Sequence, residues 1–374
     1  NQELPFATIE AGESGIATVS NIDGEFVIKI SKDTKVEELK VSYVGYKNAS
    51  MKLENLASED QLEILLDPTS VRIKEVSVRP KDATELINKV LANITSNYSN
   101  NPMMMKGFYR ETIKSGRKYV SISEAVVDIY KEGYKNSNYD KVKINKGRKS
   151  ADVKKMDTIL FKLQGGPAIS VLLDIVKNPY ILLSDNYQEV YNFYISDVTT
   201  INNKLHYVVS FKQKPYIDTP FYMGKLFIEM DRLAITEAEF ELYMENSEEA
   251  STYFIRKKPI GMRFIPEKAI YRTSYTIQDD QWYFSYARAE AKFKVNWKKK
   301  LFNSTYTTMA ELAITEKDTE NIHKFGRKET FRSTDVLAET VYTFFDTDFW
   351  GEYNVIEPDQ SIEQAIKKLN RKMK

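Results

Sequence analysis

Arg110, Glu111, Glu124 and Asp128 are the residues of this chain best placed to do chemistry. They interrupt two segments of alternating apolar residues, Met105–Lys114 and Lys118–Tyr130, joined across Ser115-Gly116. In the second segment Val120, Ile122, Val126 and Tyr130 alternate with Tyr119, Ser121, Ser123 and Val127, the period-two pattern of a strand buried on at least one face. A charge inside such a pattern must be paired or reach water, so either a structural ion pair or a pocket is implied. If the hairpin sets its strands side by side, Arg110 faces Glu124, and a guanidinium can hold a carboxylate bidentately. A carboxylate pair drawn from Glu111, Glu124 and Asp128 could instead serve glycoside hydrolysis, which needs two such groups at a fixed separation. A chain with 53 acids offers such pairs by chance, so the ion pair is the preferred reading.

A second candidate is basic. Asp140–Lys155 carries Lys141, Lys143, Lys146, Arg148, Lys149, Lys154 and Lys155 against few acids, whereas Glu229–Glu249 is acidic. Such runs are usually solvated faces. A groove for an anionic envelope polymer is the sharper alternative, and Lys146, Arg148 and Lys149 join Arg110 and Glu124 as candidate binding residues. No catalytic residue is assigned. His206 lies in a strand on the face opposite Tyr207 and Phe211, without a nucleophile or ligand nearby, and reads as structural or surface. His323 sits in a polar stretch. With two distant histidines and no cysteine, transition-metal sites lack their usual ligands, and no metal or cofactor is expected. Gly165-Gly166-Pro167 reads as a loop feeding a helix through Asn178, since no P-loop lysine accompanies it.

These residues need a scaffold, and 374 residues suffice for two domains with a substantial core. A net charge of +1 gives no reason to expect nucleic acid as a partner. No apolar run approaches the ~20 residues that span a bilayer, so no transmembrane segment is expected. The 24 tyrosines, 19 phenylalanines and 3 tryptophans fall mostly in alternating stretches, which favours pleated, half-buried surfaces.

The first 80 residues are short strands between turns: Phe6–Ala11, Ile16–Ser20, Glu25–Ile30, Leu39–Tyr43, Ser50–Leu53 and Glu63–Leu66. Asp23-Gly24 is a hairpin signal, and Ser70–Arg79 alternates as a closing strand before Pro80, where the boundary is placed. Leu4–Ile9, Gly15–Ile30 and Val41–Lys47 (VSYVGYK) resemble the carboxypeptidase-regulatory-like domain. The resemblance implies a seven-stranded transthyretin-like sandwich of a kind abundant in Bacteroidota envelope proteins, with a first strand expected before Asn1. It implies no peptidase, because the zinc ligands are missing.

Residues 81–374 open on a helix, with Leu86, Ile87, Val90, Leu91 and Ile94 at helical spacing behind Asp82 and Glu85 as a capping box. After the hairpin comes the strand Lys141–Lys149. From Tyr187 to about Thr315 long strands form a meander that turns at Asp231-Arg232 and Asp279-Asp280. A last helix carries Ile362, Ala365, Ile366 and Leu369, with Ser361 and Gln364 as its capping box. Segments such as Phe108–Glu111, Glu124–Lys131, Gln164–Pro167 and Phe349–Ile356 together resemble an uncharacterised Bacteroidota envelope domain found behind the regulatory-like module. A helix before a long curved sheet is also similar to the periplasmic lipoprotein-carrier folds.

The expected fold is therefore mainly β with some α+β character: residues 1–80 as a sandwich, and 81–374 as a large curved antiparallel sheet with a few helices. The expected function is non-enzymatic binding in the envelope, periplasmic or outer-membrane-associated, of a partner protein or of an apolar or glycan ligand held on the concave aromatic face. A hydrolase with a carboxylate site on the hairpin and a purely structural protein are the alternatives.

Overall fold

The computed structural model describes residues 2–55, 62–69, 82–151, 163–244, 261–297, 303–343 and 349–373. The expected closing strand Ser70–Arg79 and the boundary at Pro80 lie outside them.

The N-terminal segment forms a four-stranded antiparallel sheet in the order β2-β1-β3-β4, from β1 (Thr8–Ala11), β2 (Ala17–Val19), β3 (Glu38–Ser42) and β4 (Ala49–Lys52). Among the described residues, the expected strands Glu25–Ile30 and Glu63–Leu66 form no ladder. Phe26, Ile28, Ile64 and Leu66 still alternate and pack on Ala7, Ile9 and Val41. In the first of these stretches the backbone is engaged elsewhere: Lys29 donates its N–H to Asn354 and accepts from the same amide, at 2.6 and 2.9 Å. A side chain from the far end of the protein thus takes the place of a neighbouring strand. The first strand starts late because Phe6 has φ +65°, outside the range of a ladder residue.

The rest is built on one eleven-stranded sheet. Its strands are β5 (Met103–Ser115), β6 (Lys118–Lys131), β7 (Lys141–Ala151), β8 (Tyr191–Ile201), β9 (Lys204–Gln213) and β10 (Tyr222–Glu229). They continue with β11 (Ile235–Leu242), β12 (Met262–Gln278), β13 (Gln281–Trp297), β14 (Ser304–Asp318) and the short β15 (Tyr342–Thr343). The order is β15-β7-β6-β5-β14-β13-β12-β11-β10-β9-β8. All neighbours are antiparallel except β15 on β7. The long run folds back so that β14 lies beside β5, which places the hairpin mid-sheet rather than at an edge. Turns follow local chemistry: Gly116 at φ +60° joins β5 to β6, and Asp279-Asp280, at +48° and +59°, joins β12 to β13.

One face of this sheet carries α1 (Ala83–Ala92) and α2 (Gly166–Leu172). Asp82 caps α1 by accepting from the Thr84 N–H at 2.8 Å, and Leu86, Ile87 and Val90 point inward. They meet Tyr109, Val127, Phe211, Leu226, Trp282 and Phe284 in the largest core. Helix α2 is shorter than the expected run to Asn178. Asp174 and Asn178 end it in turns held by Asn178 N–H to Asp174 C=O at 2.8 Å. Val171, Ile175, Leu182 and Leu183 fill the remaining space, so the aromatic face is occupied by core side chains.

The N-terminal sheet and α3 (Gln360–Met373) cover the opposite face. Asp359, rather than the expected Ser361–Gln364 box, caps α3, accepting from the Ile362 N–H at 2.8 Å. Asp at the N-cap bonds the first-turn donors directly, and Ser361 turns its hydroxyl back to the same carboxylate.

Candidate functional site

Arg110 faces Glu124 across β5 and β6, and both side chains are 2% exposed. The pair belongs to a longer row. The register places Arg148 (β7), Glu124 (β6), Arg110 (β5), Glu311 (β14) and Arg288 (β13) directly opposite one another on consecutive strands. Charge alternates along the row. Arg110 Nε donates to Glu124 Oε1 at 2.8 Å, and Arg148 Nε to Oε2 at 2.8 Å. Arg110 Nη1 reaches Glu311 Oε1 at 3.4 Å, and Arg288 Nη1 donates to Glu311 Oε2 at 3.0 Å. Arg110 Nη2 donates to the Ile356 carbonyl at 2.8 Å. Arg288 also reaches Glu290 at 3.3 Å. Burial acts to raise the Glu124 pKa, but the two guanidinia and their hydrogen bonds outweigh it and hold it below the usual carboxylate value.

Aromatic residues seal this row at both ends. Arg288 lies over the Phe6 ring at 5.0 Å and Arg272 at 5.6 Å, while Phe6 stacks on Tyr286 at 5.9 Å. The left-handed backbone of Phe6, a strain of about 1–3 kcal/mol, accompanies this insertion. At the other end Arg148 lies over Trp350 at 5.0 Å and Phe349 at 5.6 Å. Lys146 sits 4.5 Å over Phe349 on the same face. Lys149 pairs in register with Ser123, one residue from Glu124, so it projects from the other face and bonds the Ala338 carbonyl. Four of the five candidate residues therefore share a face, and Lys149 does not. Lys146, Arg148 and Lys149 all hold partners within the chain, and Lys154 and Lys155 of the same basic run lie outside the described residues.

Beside the charged row is a trough of about 200 Å³. Its floor is three rows of β5, β14 and β13: Arg110, Glu311 and Arg288; then Thr112, Met309 and Glu290; then Lys114 and Thr307. Phe6, Asn21 and Ile22 of the N-terminal segment line it, as do Tyr119, Asp359, Ser361 and Ile362. The Tyr119 hydroxyl lies 3.1 Å from Ser361 Oγ, and Lys114 Nζ is 4.3 Å from the centre of the Tyr119 ring.

Glu111 projects from the other face, opposite Ser123 rather than Glu124, so Glu111 and Glu124 do not flank a common cleft. Tyr109 donates to Glu111 at 2.9 Å, and no cation pairs with it among the described residues. Burial pushes its carboxyl up to about 7. His206 is buried, with Nδ1 2.8 Å from the Lys204 carbonyl, and burial lowers its pKa to about 4. The two act in opposite senses on stability. A raised Glu111 pKa means the native state holds its proton more tightly, so this contribution is lost as pH rises from about 4.5 to about 7. A depressed His206 pKa means the unfolded state binds the proton better, so stability falls as pH drops from about 6.5 to about 4. Over their shared window the slopes oppose. Urea unfolding of wild type and Glu111→Gln separates them: the variant is expected to gain stability relative to wild type as pH rises, by on the order of 3 kcal/mol at pH 8. A constant difference across pH 4.5–8 would refute this.

Glu311, Arg288 and Phe6 were not singled out by sequence reasoning. Glu311 lies 201 residues from Arg110, and only the fold-back of β14 onto β5 joins them. The available signal was an acid in the apolar run Met309–Ile314, of the same kind that marked Glu124.

Residues 1–78 match the family model of the CarboxypepD_reg-like domain. No curated protein matches the chain. Among solved structures, a LolA superfamily protein from Nitrosomonas europaea is similar at 8% identity, over 66% of this chain and 99% of that one, with a TM-score of 0.20. A DUF1329 family protein from Desulfovibrio piger is similar at 10% identity, over 63% and 94%, with a TM-score of 0.23. A structure of lipid–protein interactions in lipovitellin is similar at 11% identity, over 67% of this chain and 28% of that one, with a TM-score of 0.25. Among the described residues no helix is long and apolar enough to cross a membrane, and no cluster of three metal-ligating side chains occurs.

Proposed function

We propose that this is a non-enzymatic binding protein of the cell envelope, exported to the periplasm or the outer membrane, that holds a saccharide in the trough. On this reading residues 1–80 and 81–374 are two units that together form the site. The trough carries the reading. Hydroxyls of Thr112, Thr307, Tyr119 and Ser361 and fixed charges line it together with apolar Ile22, Met309 and Ile362, which suits a ring with polar edges and apolar faces. Its volume is below the about 300–1,000 Å³ of drug-sized sites, so one ring or a chain end enters. An apolar ligand on the helix-bearing face would have to displace α1 and Val171–Leu183.

Isothermal titration against a saccharide panel tests the proposal, with Thr307→Trp filling the trough from its floor. Binding is expected to be lost in the variant while its melting temperature is kept. No saccharide binding in wild type would leave the purely structural or partner-protein reading instead, and binding that survives Thr307→Trp would refute the trough as its site.

A further inference from the structure

We infer that the trough selects an acidic saccharide, with the sugar carboxylate seated on Lys114; this rests on the saccharide reading above. Arg110 is satisfied by Glu124 and Glu311, and Arg288 by Glu311 and Glu290. Asp359 accepts from the first turn of α3. Lys114 differs: it has no carboxylate partner among the described residues, and its ammonium lies over the Tyr119 ring. Its register neighbours on β6 and β14 are Tyr119 and Thr307, both uncharged and both lining the same space. Lys292, opposite Thr307 on β13, is taken by Glu267 at 3.2 Å.

Position adds a second reason. Arg110, Thr112 and Lys114 alternate along one face of β5, so Lys114 stands about 13 Å from Arg110 along the strand. A ring over Thr112 and Met309 would carry a carboxylate outward onto Lys114 and present hydroxyls to Glu290 and Thr307. Lys114 is a half-buried residue beside an aromatic face, and an opposite charge at a partly buried site is worth more than one at an open surface. The neutral sugar leaves that cation unpaired; the acidic sugar completes it.

The experiment compares trimers of glucuronic, galacturonic and mannuronic acid with their neutral counterparts, which differ only at C6, and inorganic phosphate, by calorimetry at low salt. At least one uronate trimer is expected to bind about tenfold tighter than its neutral form. That ratio should fall to about one in Lys114→Met and in Lys114→Gln, whose melting curves confirm folding. Equal affinities for acidic and neutral trimers, both lost in Thr307→Trp, overturn the inference and leave the saccharide reading standing. Phosphate binding as tight as that of the uronates overturns the saccharide class, since an anion alone then suffices. Binding of none of these overturns both.

Discussion

Glu124→Gln is expected to lower the unfolding free energy by about 3–5 kcal/mol, read from urea denaturation at pH 7. Glu124 separates two guanidinia, Arg110 and Arg148, each 2.8 Å from one of its oxygens. Without the charge, both cations face a neutral amide at a site where Arg110 is 2% exposed. Neither arginine can shed its proton to escape, since a guanidinium stays charged in proteins. The row geometry also sets the outcome of rescue. An isolated buried pair replaced by two apolar residues recovers most of the loss. Here Arg110→Met with Glu124→Leu still strands Arg148 and removes one partner of Glu311, so the double variant should recover less than half of it. Adding Arg148→Met should recover more, because Glu311 keeps Arg288 and the Tyr286 hydroxyl. Full recovery in the double variant would show that the pair acts alone. A loss under about 1 kcal/mol in Glu124→Gln would show that the row is as weak as a surface pair. Acid should act in the same direction: a depressed Glu124 pKa contributes stability that is lost as pH falls below its ordinary value.

The second large effect is expected at Asp174. Its carboxylate is fully buried and lies 2.8 Å from Lys131 Nζ, itself 0% exposed. It also accepts from the Tyr134 and Tyr275 hydroxyls, each at 2.8 Å. Asp140 completes the cluster at 2.7 Å from Lys131. Burial acts to lower the Lys131 pKa, but the two carboxylates outweigh it, and the ammonium is held above its ordinary value. Asp174→Ala would leave Lys131 with one acid, orphan two tyrosine hydroxyls and open a cavity between β6 and the turn after α2. The expected loss is about 3–5 kcal/mol from the ion pair alone, with about 1–3 kcal/mol more for each hydroxyl left without an acceptor. Asp174→Asn keeps the volume and an acceptor oxygen, so it should lose less, and the gap between the variants measures the hydroxyl contribution. Equal unfolding free energies for Asp174→Ala and wild type would refute the account.

The β5–β6 hairpin, the meander turn at Asp279-Asp280 and the apolar stripe of α1 were legible in the sequence. Each rests on contacts between residues close in the chain, where alternation, helical spacing and turn residues act directly. The Arg110–Glu124 pairing was legible for the same reason: a short turn sets the register, and the register sets which side chains meet. What the charges amount to depended on tertiary structure. Glu311 and Arg288 reach the row only because β14 folds back beside β5 and carries β13 with it. Phe6, Trp350 and Ile356 seal or bond the row from opposite ends of the chain, and no periodicity encodes where two distant segments dock. The same limit governed the aromatic face. Alternation marks Phe211, Phe284 and Trp282 as one-sided but cannot say what covers that side, and here α1 and Val171–Leu183 fill it as core. Local patterns determine which face of each strand is apolar; the long-range pairing of strands decides which face is core and which retains an open trough.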